Sequence, residues 1–187
     1  MIMNQIRKHP LFSACGLNCG LCPRYYTDGD SKCPGCGGKD FSEKHPPCGV
    51  LSCSQRSKIE YCYLCNEYPC KKYNKWKTDS FITHQNMMKD FEKAKNIGIK
   101  AYKKELTEKI KILNDLLANY NDGKRKSLFC LAVNLLELID VKYVIKQLKK
   151  TIKSDDLSIK EKSIIAVQLF EKIAEEKNIA LKLNKGK

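Results

Sequence analysis

Long apolar runs are missing from this 187-residue chain. No uncharged stretch approaches the roughly 20 residues a membrane-spanning helix needs. The opening M-I-M-N-Q-I-R-K-H-P has neither an apolar core nor a cleavage signal. Together these absences predict a soluble, cytoplasmic protein with no membrane partner. Histidine is scarce, with three residues, too few for a His-rich hydrolytic site. There is no P-loop, dinucleotide fingerprint or Ser–His–Asp arrangement, so the expectation leans away from an enzyme. Fixed-period repeats and low-complexity blocks are also absent. Acidic residues are outnumbered 21 to 35 by Lys and Arg, giving a net charge of +14. That excess favours an anionic partner, either nucleic acid or an acidic protein.

The charge is uneven. Residues 1–70 hold eight Lys/Arg and six Asp/Glu, whereas the remainder holds 27 and 15. Any anion-binding face is therefore expected after residue 70. The junction K-K-Y-N-K-W-K (71–77) interleaves lysines with Tyr73 and the single tryptophan. It reads either as a base-stacking platform or, by the reading we favour, as a linker or amphipathic turn whose aromatics pack between the halves.

What the chain has in abundance is cysteine, eleven in all. Ten of them fall between Cys15 and Cys70: Cys15, Cys19, Cys22, Cys33, Cys36, Cys48, Cys53, Cys62, Cys65 and Cys70. Intracellular thiols stay reduced, so this density reads as metal ligation rather than disulfides. The C-x-x-C units Cys19–Cys22, Cys33–Cys36 and Cys62–Cys65 can each aim two sulfurs at one ion. Gly20, Gly35, Gly37 and Gly38 suit the positive-φ positions of such turns. Ten cysteines make two four-cysteine sites with two to spare; alternatively His45 joins and helps to fill a third. One arrangement joins Cys15, Cys19 and Cys22 to a single later cysteine, but spacing does not assign the partition.

Two structural zinc ions are the expected cofactors, with a [4Fe–4S] cluster as the alternative, since thiolates suit both. The spacing Cys15-x3-Cys19-x2-Cys22 also occurs in radical S-adenosylmethionine enzymes. This chain lacks the length and the strand–helix alternation of their barrel, so we read that match as coincidence.

The eleventh cysteine, Cys130, follows Lys124-Arg125-Lys126-Ser127 at a predicted helix start. Cations are unfavourable there unless the turn holds an anion. The same field would make Cys130 a reactive thiol. The competing reading is a buried core cysteine beside a solvated basic turn.

Periodicity after residue 80 is helical. Met87, Met88, Phe91, Ala94 and Ile97 form one stripe, ended by Gly98. Ile99, Tyr102, Leu106, Ile110, Leu113, Leu117 and Tyr120 form a second. Leu128–Ile139 is apolar nearly all round and predicts one buried helix. Ser158 and Glu161 form a capping-box signature, opening a helix that buries Ile164, Ile165, Val167, Phe170 and Ile173. A short helix is expected around Cys53–Glu60, short strands among the knuckles, and a frayed tail after residue 180. The expected class is α+β: an irregular, zinc-knuckle-like cysteine-rich module (1–77) packed on a mostly α-helical bundle (78–187).

The motifs C-G-L-N-C-G-L-C-P-R-Y, C-P-G-C-G, C-G-V-L-S-C and C-Y-L-C-N-E-Y-P-C-K-K-Y resemble the DUF 3795 family of bacteria and archaea. The resemblance spans about residues 11–75, with a helical C-terminal extension. It implies a metal-binding domain but carries no established activity. Three functions follow as expectations: a zinc-stabilised binding or adaptor module for an anionic partner, an iron–sulfur redox or sulfur-handling protein, and an enzyme using Cys130 or an open metal position.

Overall fold

A computed structural model of the chain describes residues 6–76, 78–152 and 157–186. Residues 1–5 of the lead-in and Lys77 of the K-K-Y-N-K-W-K junction lie outside them. The chain divides into two compact units. The first is Met1–Lys103 together with Leu183–Lys187, and the second is Lys104–Lys182. In chain order the α-helices are α1 (Phe41–Lys44), α2 (Gly49–Arg56), α3 (Met87–Ile97), α4 (Ile99–Asn119), α5 (Lys126–Leu135), α6 (Leu138–Thr151) and α7 (Ile159–Glu176). Among the described residues, no helix is long and apolar enough to cross a membrane.

The expected α+β class is overturned: among the described residues there is no strand and no sheet. The cysteine-rich segment closes on itself in single 3-10 turns, such as Cys19–Leu21 and Cys62–Leu64. Cys22 N–H donates to Cys19 C=O at 3.2 Å and Cys65 N–H to Cys62 C=O at 2.9 Å. Amides used in tight local turns are not free to build a ladder. Long-range amide bonds occur singly, as from Cys62 to Ala14 (2.8 Å) and from Cys36 to Pro10 (2.9 Å). The expected short helix near Cys53 starts earlier, as α2.

Glycine is required at two places in particular. Gly35 has φ +87°, and a Cβ there would stand 2.6 Å from the Pro10 carbonyl oxygen. Gly16 has φ +95°, and its Cβ would stand 2.7 Å from the Met87 carbonyl oxygen. Gly37 also has positive φ, as expected, but Gly20 and Gly38 do not. Gly38 serves a different need: a Cβ there would meet the Pro34 carbonyl oxygen at 2.7 Å.

An aromatic nucleus holds the first unit. Phe12 is 1% exposed and packs on Tyr61, Phe91 and Tyr102, with ring centroids 5.3, 5.6 and 4.7 Å away. Burying such a ring contributes about 1.5–3 kcal/mol, and each favourable ring pair adds roughly 0.5–1.5 kcal/mol. Phe91 comes from α3 and Tyr102 from α4, so these helices complete a core that residues 15–70 lack on their own.

Two polar nodes lie inside this unit. Arg7 donates to the Phe12 and Cys36 carbonyls at 3.0 and 3.3 Å, and to the Glu60 carboxylate at 2.8 Å. Asn18 donates to Asp90 (2.8 Å) and accepts from the Tyr102 hydroxyl (2.9 Å).

In the second unit α6 packs on α7, and α5 packs on α7. Phe129, Val133, Val141, Val144, Leu148, Ala166 and Phe170 are all at most 1% exposed. The single helix expected over Leu128–Ile139 is interrupted. Leu136 is extended (ψ 151°), and its carbonyl accepts from buried Lys109 at 2.6 Å. That ammonium satisfies a carbonyl left over where α5 stops. Lys109 thus occupies a buried slot that the apolar stripe had assigned to Ile110. The Ser158–Glu161 capping box forms as expected. On α7 Val167, Phe170 and Ile173 are buried as expected, joined by Ser163 and Ala166, while Ile164 is 40% exposed.

The tail after residue 180 is not frayed throughout. Asn184 N–H donates to the Asp79 carboxylate at 2.7 Å, and Asp79 N–H donates back to the Asn184 carbonyl at 2.6 Å.

Candidate metal centre

All eleven cysteines are free thiols. Among the described residues, no three His, Cys, Asp or Glu side chains stand close enough to hold an ion as they are. The ten N-terminal thiols are nevertheless sorted by the turns that carry them. Cys53, Cys62, Cys65 and Cys70 line one small cavity of about 60 Å³ with Tyr68 and Tyr73. Cys15, Cys19, Cys22, Cys33, Cys36 and Cys48 line another, of about 370 Å³. Within the larger group, Cys19 and Cys48 pack against the buried cluster of Ala14, Cys36 and Leu51.

Hydrogen-bond donors surround several of these sulfurs, but burial holds them as neutral thiols. Ser13 Oγ lies 3.0 Å from Cys15 Sγ. Backbone amides near Cys15, Cys19, Cys22 and Cys36 favour their charged states. Burial opposes them and wins: it pushes Cys15 up to about 12, helped by the neighbouring charge of Cys36. Cys19 is likewise raised well above its ordinary value, from burial and then from Cys36 and Cys15. Several would-be anions facing one another among N–H donors fit a bound metal, because a cation is what makes thiolates stable in such a place.

Tyr73 was read from sequence only as part of a basic, aromatic junction. Its hydroxyl donates to the Cys15 carbonyl at 3.2 Å and hydrogen-bonds the Cys62 thiol. Burial first, then the charge of Cys62, raises its pKa. It therefore touches one residue of each thiol group. The only sequence signal for this was its place three residues after Cys70. Its ring packs on Tyr68 and Trp76, and Trp76 packs on His84.

His45 lines the larger cavity. Its ring stacks on Phe41 at 4.5 Å, and its Nδ1 lies 2.7 Å from the Pro46 carbonyl. A donating Nδ1 leaves Nε2 as the lone-pair nitrogen, the tautomer a metal ligand uses.

The basic turn of the second unit is built differently from an anion cradle. Asp122 and Asn121 side chains accept the Lys124 and Arg125 amides at 3.0 and 3.2 Å. Arg125 Nε stands 4.0 Å from the Asp122 carboxylate. Lys126 and Ser127 begin α5 beyond them. Cys130 is 1% exposed within that helix.

The geometry defines a class: a cysteine-rich module of short turns, with its thiols facing two cavities, completed by aromatic side chains of flanking helices. Residues 11–75 match the family model described as Protein of unknown function (DUF3795), the family the cysteine motifs resemble. The match ends before α3. No curated protein and no solved structure matches the chain.

Proposed function

We propose that residues 15–70 bind metal through sulfur at two places, and that the chain is a metal-stabilised binding module for an anionic partner, nucleic acid first. The sorting of ten thiols around two separate cavities carries the metal part. Cys53, Cys62, Cys65 and Cys70 supply the four ligands of a closed zinc site. Metal bound only by the folded arrangement contributes directly to folding.

Charge placement supports the partner. The basic excess concentrates next to the module: residues 71–103 hold nine Lys and three Asp/Glu, against 16 and 12 over residues 104–182. A surface of this kind binds phosphates by releasing counterions.

Elemental analysis of the purified chain tests the first part, with tightly held metal as the expected result. A folded chain with no metal would sink it. Titration of a single-stranded oligonucleotide at about 50 and about 200 mM salt tests the second. The expected result is a loss of affinity of at least tenfold, as multiple phosphate contacts require. No binding even at the lower salt removes nucleic acid as the partner.

A further inference from the structure

The two thiol groups differ in number and in the space they enclose. Four thiols face the smaller cavity, of about 60 Å³. A single ion suits that space. Six thiols face a cavity of about 370 Å³, and a tetrahedral ion uses only four of them and a small part of that room. From these differences we infer that the two sites take different occupants: one zinc ion at Cys53, Cys62, Cys65 and Cys70, and a [4Fe–4S] cluster in the six-cysteine cavity. This rests on the reading that the module binds metal through sulfur.

Cys15, Cys19, Cys36 and Cys48 supply the cluster's four thiolates. Three of them, Cys19, Cys36 and Cys48, already gather at one packed cluster. Cys15 and Cys19 come from one tight turn, in which Cys19 N–H and Ser13 N–H both donate to the Leu17 carbonyl, at 3.1 and 2.9 Å. Cys22 and Cys33 line the same cavity. They follow and precede the turns that carry Cys19 and Cys36, and Cys33 N–H is fixed on the Arg24 carbonyl at 3.0 Å.

The remaining wall mixes apolar Phe41, Trp76, Phe81 and Ile82 with Arg24, Lys44, His45 and His84. The Arg24 guanidinium lies over the Phe81 ring, 5.0 Å from its centroid. Apolar walls exclude water and stabilise the less charged redox state of a cluster, while N–H donors to sulfur stabilise the more reduced one.

The test is anaerobic purification of the full chain, followed by iron, sulfide and zinc analysis and an absorption spectrum. The expected result is about four irons and about one zinc per chain, with a broad charge-transfer band near the visible edge. X-ray absorption at the zinc edge of the same wild-type sample should show four sulfur ligands at about 2.3 Å.

Replacing Cys19 and Cys36 by Ser should remove iron and colour while zinc stays. Replacing Cys62 and Cys65 by Ser should do the reverse. A colourless chain with two zinc ions, which takes up no iron on reconstitution with iron and sulfide, overturns the inference and leaves the metal reading standing. Colour lost only with Cys62 and Cys65 also overturns it. A folded chain with neither metal overturns the metal reading itself.

Discussion

The two units of the chain solve the problem of cohesion in different ways. The second encloses a conventional helical core, with Phe129, Val133, Val144 and Phe170 at most 1% exposed and one cation, Lys109, tying off an interrupted helix. The first has turns in place of regular elements through most of residues 15–70. It gathers its interior from three sources: rings on several segments, the Arg7 and Asn18 nodes, and inward-facing thiols. A helical core needs only periodicity to form. A turn-built module needs particular residues at particular places, so it is sensitive to changes that the helices would absorb.

The strongest challenge to this contrast is metal removal. Stripping metal with a strong chelator under reducing conditions should unfold residues 15–70, because bound zinc contributes about 10–16 kcal/mol apparent in small modules. Hydrogen exchange should show amide protection lost there and retained in α5, α6 and α7. Simultaneous loss in both units would show that they do not have separate sources of stability.

Next come the rings. Phe91→Ala and Phe170→Ala each remove a fully buried ring and should cost about 3–5 kcal/mol. The contrast lies in where the damage falls: Phe91→Ala should also weaken metal retention, and Phe170→Ala should not. Chelator competition distinguishes the two outcomes.

The buried cations are expected to cost less. Arg7→Met strands the Glu60 carboxylate and the Phe12, Cys36 and Glu60 carbonyls, at about 2–3 kcal/mol. Lys109→Met strands the Leu136 carbonyl, at about 1–3 kcal/mol. Denaturant melts of each variant measure both.

The smallest effect has the opposite sign. Ser163 is fully buried on α7 and its hydroxyl has no hydrogen-bond partner among the described residues. Ser163→Ala should be neutral or stabilise by about 1 kcal/mol.

Acid sharpens the contrast in another way. Burial pushes Asp79 up, but the His84 and Asn184 amides and the Gln85 side chain together outweigh it and hold its carboxyl below the usual range. A depressed carboxyl contributes stability above its ordinary value near 3.8, and that stability is lost as pH falls through the lower folded value. His84 is held neutral, chiefly by burial, so its protonation as pH falls below about 6.5 works against the fold as well. Mild acid should therefore release residues 79–84 and 184 before it affects α5–α7, with Asp79→Asn blunting the lower part of the transition.

Sequence made the second unit readable because helix periodicity repeats. The helices, the Gly98 break and the Ser158 cap all followed from spacing. The break at Leu136 did not, since Leu, Leu and Glu there carry no stop signal, and the carbonyl partner, Lys109, is 27 residues away.

In the first unit the cysteines announced themselves, but their sorting did not. Cys22 and Cys19 share a knuckle by sequence, and only the turns between Cys33 and Cys48 decide which sulfurs meet. The expected strands failed for a related reason: amides that close C-x-x-C turns have no second acceptor to seek. The roles of Asn18 and Tyr73 rest on partners far along the chain, at Asp90, Tyr102 and Cys15, beyond the reach of local pattern.

The Asp79–Asn184 clasp has a consequence for synthesis. Residues 183–186 belong to the first unit, although the ribosome makes them only after the whole of the second. The second unit is thus an insertion, and the module that carries the thiols is discontinuous in sequence. It emerges early but is completed late. Truncation before Leu183 would leave every residue of α5–α7 in place, and yet the segment that loses a partner would be the one beside the thiols.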